Sequence, residues 1–550
     1  MRIAAFLRAQ VEAETKTRLR STGTLVAVVA LFAASFLWIP DPAKNSASIA
    51  WQTADERTVS GVYNSAYVGA SSAIVAALFL SLIGFYLVTG SVRRDRERRV
   101  GAILAATPLS KAAYLGGKVA AHVVYLTTVA GVALAAGLMV FVRFGTGPLR
   151  LVDFLVPFAL LVVPGMVFVA ALAVLFDATP LLSGRGGLAL FFFVWAFGLL
   201  VVPAELHGGL DRSRQTEGPA LYDPIGIATF VQLLEESVPG MRPGGISIGL
   251  QVMDQPIERV EWPGVRWTAA GVLSRLATLA WAAVPFGLAV LLFDRFDPAR
   301  RRRGARRRRR PAAAAPGELA AAGAAAAVEA TAAASPALTA ESLRTLPPVA
   351  LHPTAWRAVR AEVRLLFLAA APVVRWALLP AALLAAAPAG PGRAGTAALL
   401  FLLAPLLAET AARERLQGTG ALVFSQPAVP LSPLLWKAAA AGTAVLALGL
   451  PRLLLTAATD PKRALAFLLG LAAVAIFAVG AGSLTGGGKL FTGLYVALWY
   501  VAVGSTGEGP GLDFSGAFAP EPRPQVAATF LAAATALLAA AYAVERRRLR

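Results

Sequence analysis

Few side chains of this 550-residue chain are of the types that carry covalent or metal chemistry, and those few are widely spaced. The chain has no cysteine, which excludes disulfides, thiolate nucleophiles and thiolate-bound metals. Its three histidines, His122, His207 and His352, lie far apart in the sequence. Glu205, His207 and Asp211 form the closest acid–histidine group, but a solvated loop is the simpler interpretation of that polar stretch. We therefore expect no metal site and no catalytic residue in this chain.

A glycine-rich stretch that ends in lysine, Gly486-Gly487-Gly488-Lys489, superficially resembles a phosphate-binding loop. The motif of that loop is G-x-x-x-x-G-K-[ST], in which backbone N–H groups and the lysine hold the phosphates. Here Ser483 occupies the position of the first glycine, and Leu490 follows the lysine. The sequence therefore predicts that this chain binds no ATP or magnesium and is not itself an enzyme.

The remaining polar chemistry is positive charge, with 51 Lys and Arg against 31 Asp and Glu and a net charge of +20. The bases are concentrated in residues 91–118, 300–310 and 545–550. Such clusters bind nucleic acid in some soluble proteins. In a membrane protein they more often fix the cytoplasmic side of the chain, where they meet anionic lipid headgroups. We favour membrane lipids as partners and expect no nucleic acid.

Long apolar stretches separate these clusters, and 57% of the residues are hydrophobic with only 15% charged. Only a helix satisfies its own backbone in lipid, and roughly 20 apolar residues suffice to cross the hydrocarbon core. The sequence thus predicts an all-α polytopic membrane protein with about twelve spans. The expected spans are 24–39, 67–90, 119–142, 151–176, 188–203, 276–293, 373–387, 396–407, 438–455, 464–484, 490–504 and 526–544.

The expected organisation is two six-span halves, 1–297 and 351–550, joined by a basic, Ala/Pro-rich linker at 298–350 that we expect to be disordered. Each half begins with an amphipathic segment, 1–20 or 356–367, that is typical of a helix on the membrane surface. The positive-inside rule places both termini, the 91–118 loop and the linker in the cytoplasm, and the 204–269 loop outside.

Four short motifs recur in the same order in both halves, which favours an internal repeat. An even number of spans per half makes the repeat parallel, with its axis along the membrane normal. The matched pairs are Arg8-Ala9-Gln10-Val11 with Arg360-Ala361-Glu362-Val363, Arg96-Glu97-Arg98 with Arg413-Glu414-Arg415, Pro108-Leu109-Ser110 and Lys118 with Pro430-Leu431-Ser432 and Lys437, and Gly184-Arg185 and Trp195 with Gly488-Lys489 and Trp499.

The 91–118 segment resembles the loop after the second span in permeases of the ATP-binding-cassette (ABC) type-2 transporters. In that family an Arg/Glu-rich start, a glycine, a Thr-Pro-x-Ser and a Tyr-Leu-x-Gly-Lys ending form a coupling helix that docks on the ATPase. Segments 483–500 and 512–517 also resemble the end of such permeases. The residues that carry the match are Arg96, Glu97, Arg98, Gly101, Thr107, Pro108, Ser110, Tyr114, Leu115, Gly117 and Lys118.

The resemblance implies an exporter permease in the cytoplasmic membrane of a prokaryote, driven by two copies of a separate cytoplasmic ATPase that carries ATP and magnesium. It also implies a second coupling loop at 409–437. That loop departs from the family pattern, because its Pro-Leu-Ser lies farther from Arg413 and no Tyr-Leu-x-Gly precedes Lys437, so we expect the first loop to couple more strongly. Its expected coupling residues are Arg413, Glu414, Arg415, Pro430, Ser432 and Lys437.

Two other functions stay open at the level of sequence. A secondary transporter that needs no ATP would require an ion-coupling residue in mid-membrane, and none stands out. A membrane-embedded enzyme, such as a lipid-linked transferase with its site in 204–269, would be active without any ATPase. The 91–118 cluster could likewise be a topology signal alone, although its repeated motifs favour docking.

Overall fold

A computed structural model describes residues 2–180, 182–206, 219–238, 240–252, 257–296, 355–419, 432–504 and 512–548. The expected linker at 298–350 lies outside the described residues. The chain is mostly helical, and its helices begin where side chains satisfy free backbone N–H groups: Asn64 accepts from Tyr67 N, and Asp460 accepts from Arg463 N.

The helices of the first half are α1 (Arg2–Leu19), α2 (Thr22–Trp38), α3 (Ser65–Val88), α4 (Ser91–Glu97), α5 (Val100–Ala105), α6 (Lys111–Phe144), α7 (Val152–Ala178), α8 (Gly186–Leu206), α9 (Ile227–Ser237) and α10 (Ala269–Leu292). Those of the second half are α11 (Ala355–Ala369), α12 (Pro372–Ala385), α13 (Ala389–Leu407), α14 (Arg413–Leu416), α15 (Ser432–Thr459), α16 (Pro461–Thr485), α17 (Lys489–Gly504) and α18 (Pro524–Arg548).

Among the described residues, nine helices are long and apolar enough to cross a membrane. Two bent pairs, α1 with α2 at 69° and α11 with α12 at 109°, raise that number to eleven if each pair is one span. Helix α17 is apolar but shorter. The prediction of a helical polytopic membrane protein is therefore confirmed, while the count of twelve spans stays a prediction.

A four-stranded sheet lies where the sequence predicts only polar loops. Its strands are β1 (Ser46–Thr53), β2 (Thr58–Gly61), β3 (Met241–Val252) and β4 (Glu258–Val260), in the order β3-β1-β2-β4. Strand β1 pairs antiparallel with β2 and β3, and β2 pairs parallel with β4. The all-α expectation thus omits a small β layer that joins two distant segments of the first half.

The sheet and the 91–118 segment lie at opposite ends of the helical bundle. Strand β2 ends at Gly61, just before α3 begins at Ser65, whereas α4 follows directly after α3 ends at Val88. We call the two ends the sheet end and the basic end.

The two halves pack against each other through aromatic side chains. Phe192 of α8 lies 5.0 Å from Phe401 of α13 and 5.2 Å from Trp499 of α17, measured between ring centroids. Trp195 of α8 contacts Tyr500 of α17 at 5.1 Å. Helix α17 also packs along α3, so the second half contacts the helix that leads into the 91–118 segment.

Candidate functional site

The 91–118 segment folds as two short helices followed by the long helix α6. Helix α4 ends where Arg99 adopts a left-handed backbone conformation, with φ of 61°. Helix α5 ends before Thr107 and Pro108, and the Ser110 side chain caps α6 by accepting from Ala113 N at 3.1 Å. Helix α5 is only six residues long.

A buried ion-pair network holds this segment against α1 and α6. Lys118 is 2% exposed, and its Nζ pairs with Glu14 of α1 and with Asp95 of α4, the latter at 2.7 Å. Arg94 also pairs with Glu14, and the Tyr114 hydroxyl donates to Asp95 at 2.7 Å. Burial raises the pKa of Glu14, but its cationic neighbours outweigh that effect and hold the pKa below its ordinary value.

The glycines of the segment allow neighbouring side chains to approach closely. A Cβ at Gly117 would lie 2.0 Å from Oε1 of Gln10 in α1, and Gln10 donates to Tyr114 O at 3.2 Å. A Cβ at Gly101 would lie 2.5 Å from the ring of Phe296. These two positions explain why the segment needs glycine where its motif has it.

The end of α10 fixes the other side of the segment. Arg96 pairs with Asp294 at 2.8 Å, and Lys111 donates to Phe293 O at 2.6 Å. Arg295 donates to Thr107 O at 2.8 Å. Arg96, Lys118 and Thr107 therefore serve to position the segment within the chain.

The junction at residues 87–91, between α3 and α4, is held by charged side chains from three other helices. Arg18 of α1 donates to Leu87 O and Val88 O at 2.7 Å, and Lys489 of α17 donates to Thr89 O. Asp177 of α7 accepts from Gly90 N at 2.6 Å and from Ser91 N at 2.7 Å. Cations at a helix C-terminus and an anion at a helix N-terminus both complement the free backbone groups there.

The outward face of the segment stays exposed. Glu97, Arg98 and Arg99 are exposed at the end of α4, and Val100 and Ile103 are 41% and 69% exposed on α5. Exposed charge beside large exposed apolar side chains is typical of a protein contact surface. Of the predicted residues, Glu97 and Arg98 lie on this face, which we call the α4–α5 face.

The second half contains a comparable but smaller ion-pair arrangement. Lys437 of α15 is buried and pairs with Glu414 of α14. Arg413 pairs with Glu362 of α11 at 3.0 Å, and Arg415 pairs with Glu545 of α18. The structure thus brings Arg413, Glu414, Arg415 and Lys437 together. Pro430 lies outside the described residues, and Ser432 begins α15.

A cavity of about 550 Å³ lies between the halves at the basic end. The first half contributes α1, α3, α4 and the start of α8, and the second half contributes α13 and the 485–489 turn. Lys489 lies in its wall, so the glycine-rich stretch that resembles a phosphate loop borders a space between the halves.

Sequence reasoning missed several residues of this site and of the sheet end. Asp177 carries no motif and stands alone after an apolar run, so only its contact with Gly90 and Ser91 identifies it. Arg275 of α10 is buried and pairs with Asp223 at 3.5 Å. Asp223 also accepts from Gly226 N and Thr229 N, which makes the pair a clamp for the turn before α9.

The two halves share a further pattern that is not among the four repeated sequence motifs. Asp223 and Asp513 each stand three residues before a glycine with positive φ, Gly226 and Gly516. The carbonyl of the residue after each aspartate lies against a glycine of a long helix, Pro224 O against Gly165 in α7 and Phe514 O against Gly470 in α16.

The tryptophans of the proposed repeat also make corresponding contacts. Trp195 Nε1 donates to Ser81 Oγ in α3 at 2.8 Å, and Trp499 Nε1 donates to Ala397 O in α13 at 2.9 Å. Each thus bonds to the helix at the second predicted span of its own half.

The acid–histidine group of the sequence is only partly described. Glu205 lies at the end of α8, while His207 and Asp211 lie outside the described residues. Within the described ranges, no group of three His, Asp or Glu side chains could hold a metal ion. No family model, curated protein or solved structure matches this chain.

Proposed function

We propose that this chain is the permease of an ABC type-2 exporter, located in the cytoplasmic membrane of a prokaryote with both termini in the cytoplasm. The observation that carries the proposal is the construction of the 91–118 segment. Its motif residues hold it against α1, α6 and α10 through ion pairs and hydrogen bonds, while the α4–α5 face is left exposed. A fixed loop with a free face is suited to transmit the movement of a docked partner into the helices.

The contacts of the halves support the rest of the proposal. The tryptophan bonds, the aspartate turns and the buried lysine pairs occur once in each half, in the same chain order, as a parallel repeat of two six-span halves would require. The cavity lies where a substrate path between such halves would begin. The ATPase would be a separate pair of subunits that bind ATP and magnesium, since the 483–490 stretch departs from the phosphate-loop motif.

The rival functions find less support in the described residues. A secondary transporter would use a buried acid that exchanges its proton or ion, but the oxygens of Asp223 and Asp513 are engaged by backbone N–H groups of their own turns. A lipid-linked transferase would act without any ATPase. Capture of an ABC ATPase by the chain is expected of the permease and of neither rival function.

The proposal is tested by capture of a purified cytoplasmic ABC ATPase by the chain in detergent. Arg98→Glu with Arg99→Glu reverses charge on the α4–α5 face and should lower capture by about tenfold, since reversal of two interface charges adds repulsion to lost attraction. Arg413→Glu with Arg415→Glu should have a smaller effect, because both arginines are paired within the chain. Arg20→Glu, at an exposed arginine of the same end outside the segment, is the matched control.

Membrane yield and elution volume of each variant report folding. Normal capture by the Arg98/Arg99 variant, or an equal loss in the Arg20 control, would remove the α4–α5 face from the docking surface.

A further inference from the structure

The cavity between the halves carries a strong excess of positive charge. Among the described residues that line it, five are cationic and two are acidic, Glu97 and Glu409. The cations are Arg18, Arg93, Arg94, Arg98 and Lys489. Like charges that share a space with low-dielectric walls repel strongly, so such an arrangement is stabilised by a bound anion.

Two of these cations already contact acceptors within the protein. Arg94 pairs with Glu14, and Arg18 donates to two carbonyls of α3. Arg18 holds the junction and Arg94 holds α4 against α1, so the cavity has fewer free donors than its composition suggests.

The other three retain donor capacity toward the cavity. Arg93 has one long contact, 3.5 Å from its Nε to Glu97. Arg98 has no side-chain partner within the described part of the chain. The Lys489 ammonium has three N–H donors and uses one on Thr89 O. Arg93 and Arg98 of the first half therefore line the same cavity as Lys489 of the second half.

The number and placement of these donors favour a phosphate over a carboxylate. A phosphate ester offers three acceptor oxygens that can meet donors on two sides, whereas a carboxylate offers two in one plane. Arginine binds phosphate in a bidentate manner, and lysine adds a point charge.

Part of the cavity lining is apolar. Leu188, Phe401 and Val496 line it, with Pro405 and Ala404 beside them. A free inorganic anion would gain nothing from such a wall, but a molecule with a hydrocarbon part would bury it there. The volume of about 550 Å³ accommodates a headgroup and the start of a chain and is in the size range of small-molecule sites.

We propose that this cavity binds the headgroup of a phosphate-bearing amphiphile, held by Arg93 of the first half and Lys489 of the second. As cargo of the transporter this ligand rests on the proposed function, but its binding is measurable on the chain alone. The second half thereby contributes a phosphate-binding lysine from a stretch that only superficially resembles an ATP-binding motif.

The test is equilibrium binding to the purified full chain in neutral detergent, with short-chain phosphatidic acid, short-chain phosphatidylcholine and inorganic phosphate as probes. Phosphatidic acid should bind at least about tenfold more tightly than either of the others. Lys489→Gln and Arg93→Gln should each weaken it by about tenfold or more, as expected for loss of a charge-assisted hydrogen bond. Arg20→Gln, an equal charge change on the same end outside the cavity, should leave it within about twofold.

A cavity-filling variant distinguishes loss of the site from misfolding of the charge variants. Ala189→Trp blocks the cavity without changing charge and should abolish phosphatidic acid binding while the chain elutes normally. Equal binding of inorganic phosphate or phosphatidylcholine, normal binding by Ala189→Trp, or an equal loss in Arg20→Gln would each overturn the proposal.

The binding test and the ATPase-capture test can succeed or fail independently of each other. If the wild-type chain captures its ATPase but shows no selective binding, the amphiphile site is wrong and the permease stands. If binding is selective but no ATPase is captured, the cavity stands and the permease is wrong.

Discussion

Lys118 is the residue whose loss should most directly release the 91–118 segment. Its side chain is 2% exposed, and it pairs with Glu14 and Asp95, which are 10% and 14% exposed. Lys118→Met keeps the length of the side chain and removes its charge. The substitution leaves two nearly buried carboxylates without their shared cation.

The magnitude follows from what remains around the two acids. Removal of one partner from a buried ion pair costs about 3–5 kcal/mol. Glu14 still pairs with Arg94, and Asp95 still accepts from the Tyr114 hydroxyl. We therefore expect Lys118→Met to lower the unfolding free energy by about 3 kcal/mol, the lower end of that range. Lys16→Met is the matched control, since Lys16 pairs with Glu12 on the same helix but is 62% exposed. It should change stability by less than about 0.5 kcal/mol.

The assay is reversible unfolding in mixed micelles of mild detergent and sodium dodecyl sulfate, followed by tryptophan emission. A double-mutant cycle with Glu14→Gln should be less than additive by about 1–2 kcal/mol, because both changes remove the same contact. A Lys118→Met variant as stable as the Lys16 control would refute the conclusion that this network holds the segment.

Three further outcomes follow from the same contacts. Asp177→Ala leaves two backbone N–H groups unpaired and should lower the unfolding free energy by about 2–4 kcal/mol in the same assay. It should also reduce ATPase capture, and unchanged capture would show that the junction does not orient the segment. Gly90→Ala places a Cβ 1.9 Å from the Lys489 Nζ at a φ of +90° and should lower the unfolding free energy by about 1–2 kcal/mol. This loss should be largely non-additive with that of Lys489→Met, and full additivity would show that the two residues take part in separate interactions. In the cysteine-free chain, Ala54→Cys at the sheet end should react with an impermeant maleimide in intact cells and Ser110→Cys should not; the reverse pattern would invert the proposed topology.

The helices were predictable from the sequence because hydropathy is a local property, and each predicted span falls on a helix. The sheet was not, since β1 pairs with β3 across nearly 200 residues and neither strand shows its partner locally. Polar composition in 40–65 and 204–269 indicated loops, and the burial of Trp51 and Trp262 between them is a tertiary effect.

The sequence motif identifies several residues of the site, but it does not show what those residues contact. The motif around Arg96, Gly101 and Lys118 is visible in the sequence, yet it suggests a solvated docking patch. Burial and pairing show that Lys118 and Arg96 act within the chain, and the exposed face depends on Val100 and Ile103, which no motif singles out. Lys489 stands out in the sequence only because its glycine-rich stretch superficially resembles a phosphate loop. Its contact with Thr89 depends on the packing of the two halves.

The most direct test of the central claim is ATP hydrolysis in vesicles of neutral lipid. The chain alone should hydrolyse no ATP, and a cognate ABC ATPase together with the chain should show vanadate-sensitive turnover that the Arg98→Glu, Arg99→Glu variant lowers. Robust turnover by the purified chain alone, or ATPase turnover that neither the chain nor its variant alters, would contradict the permease.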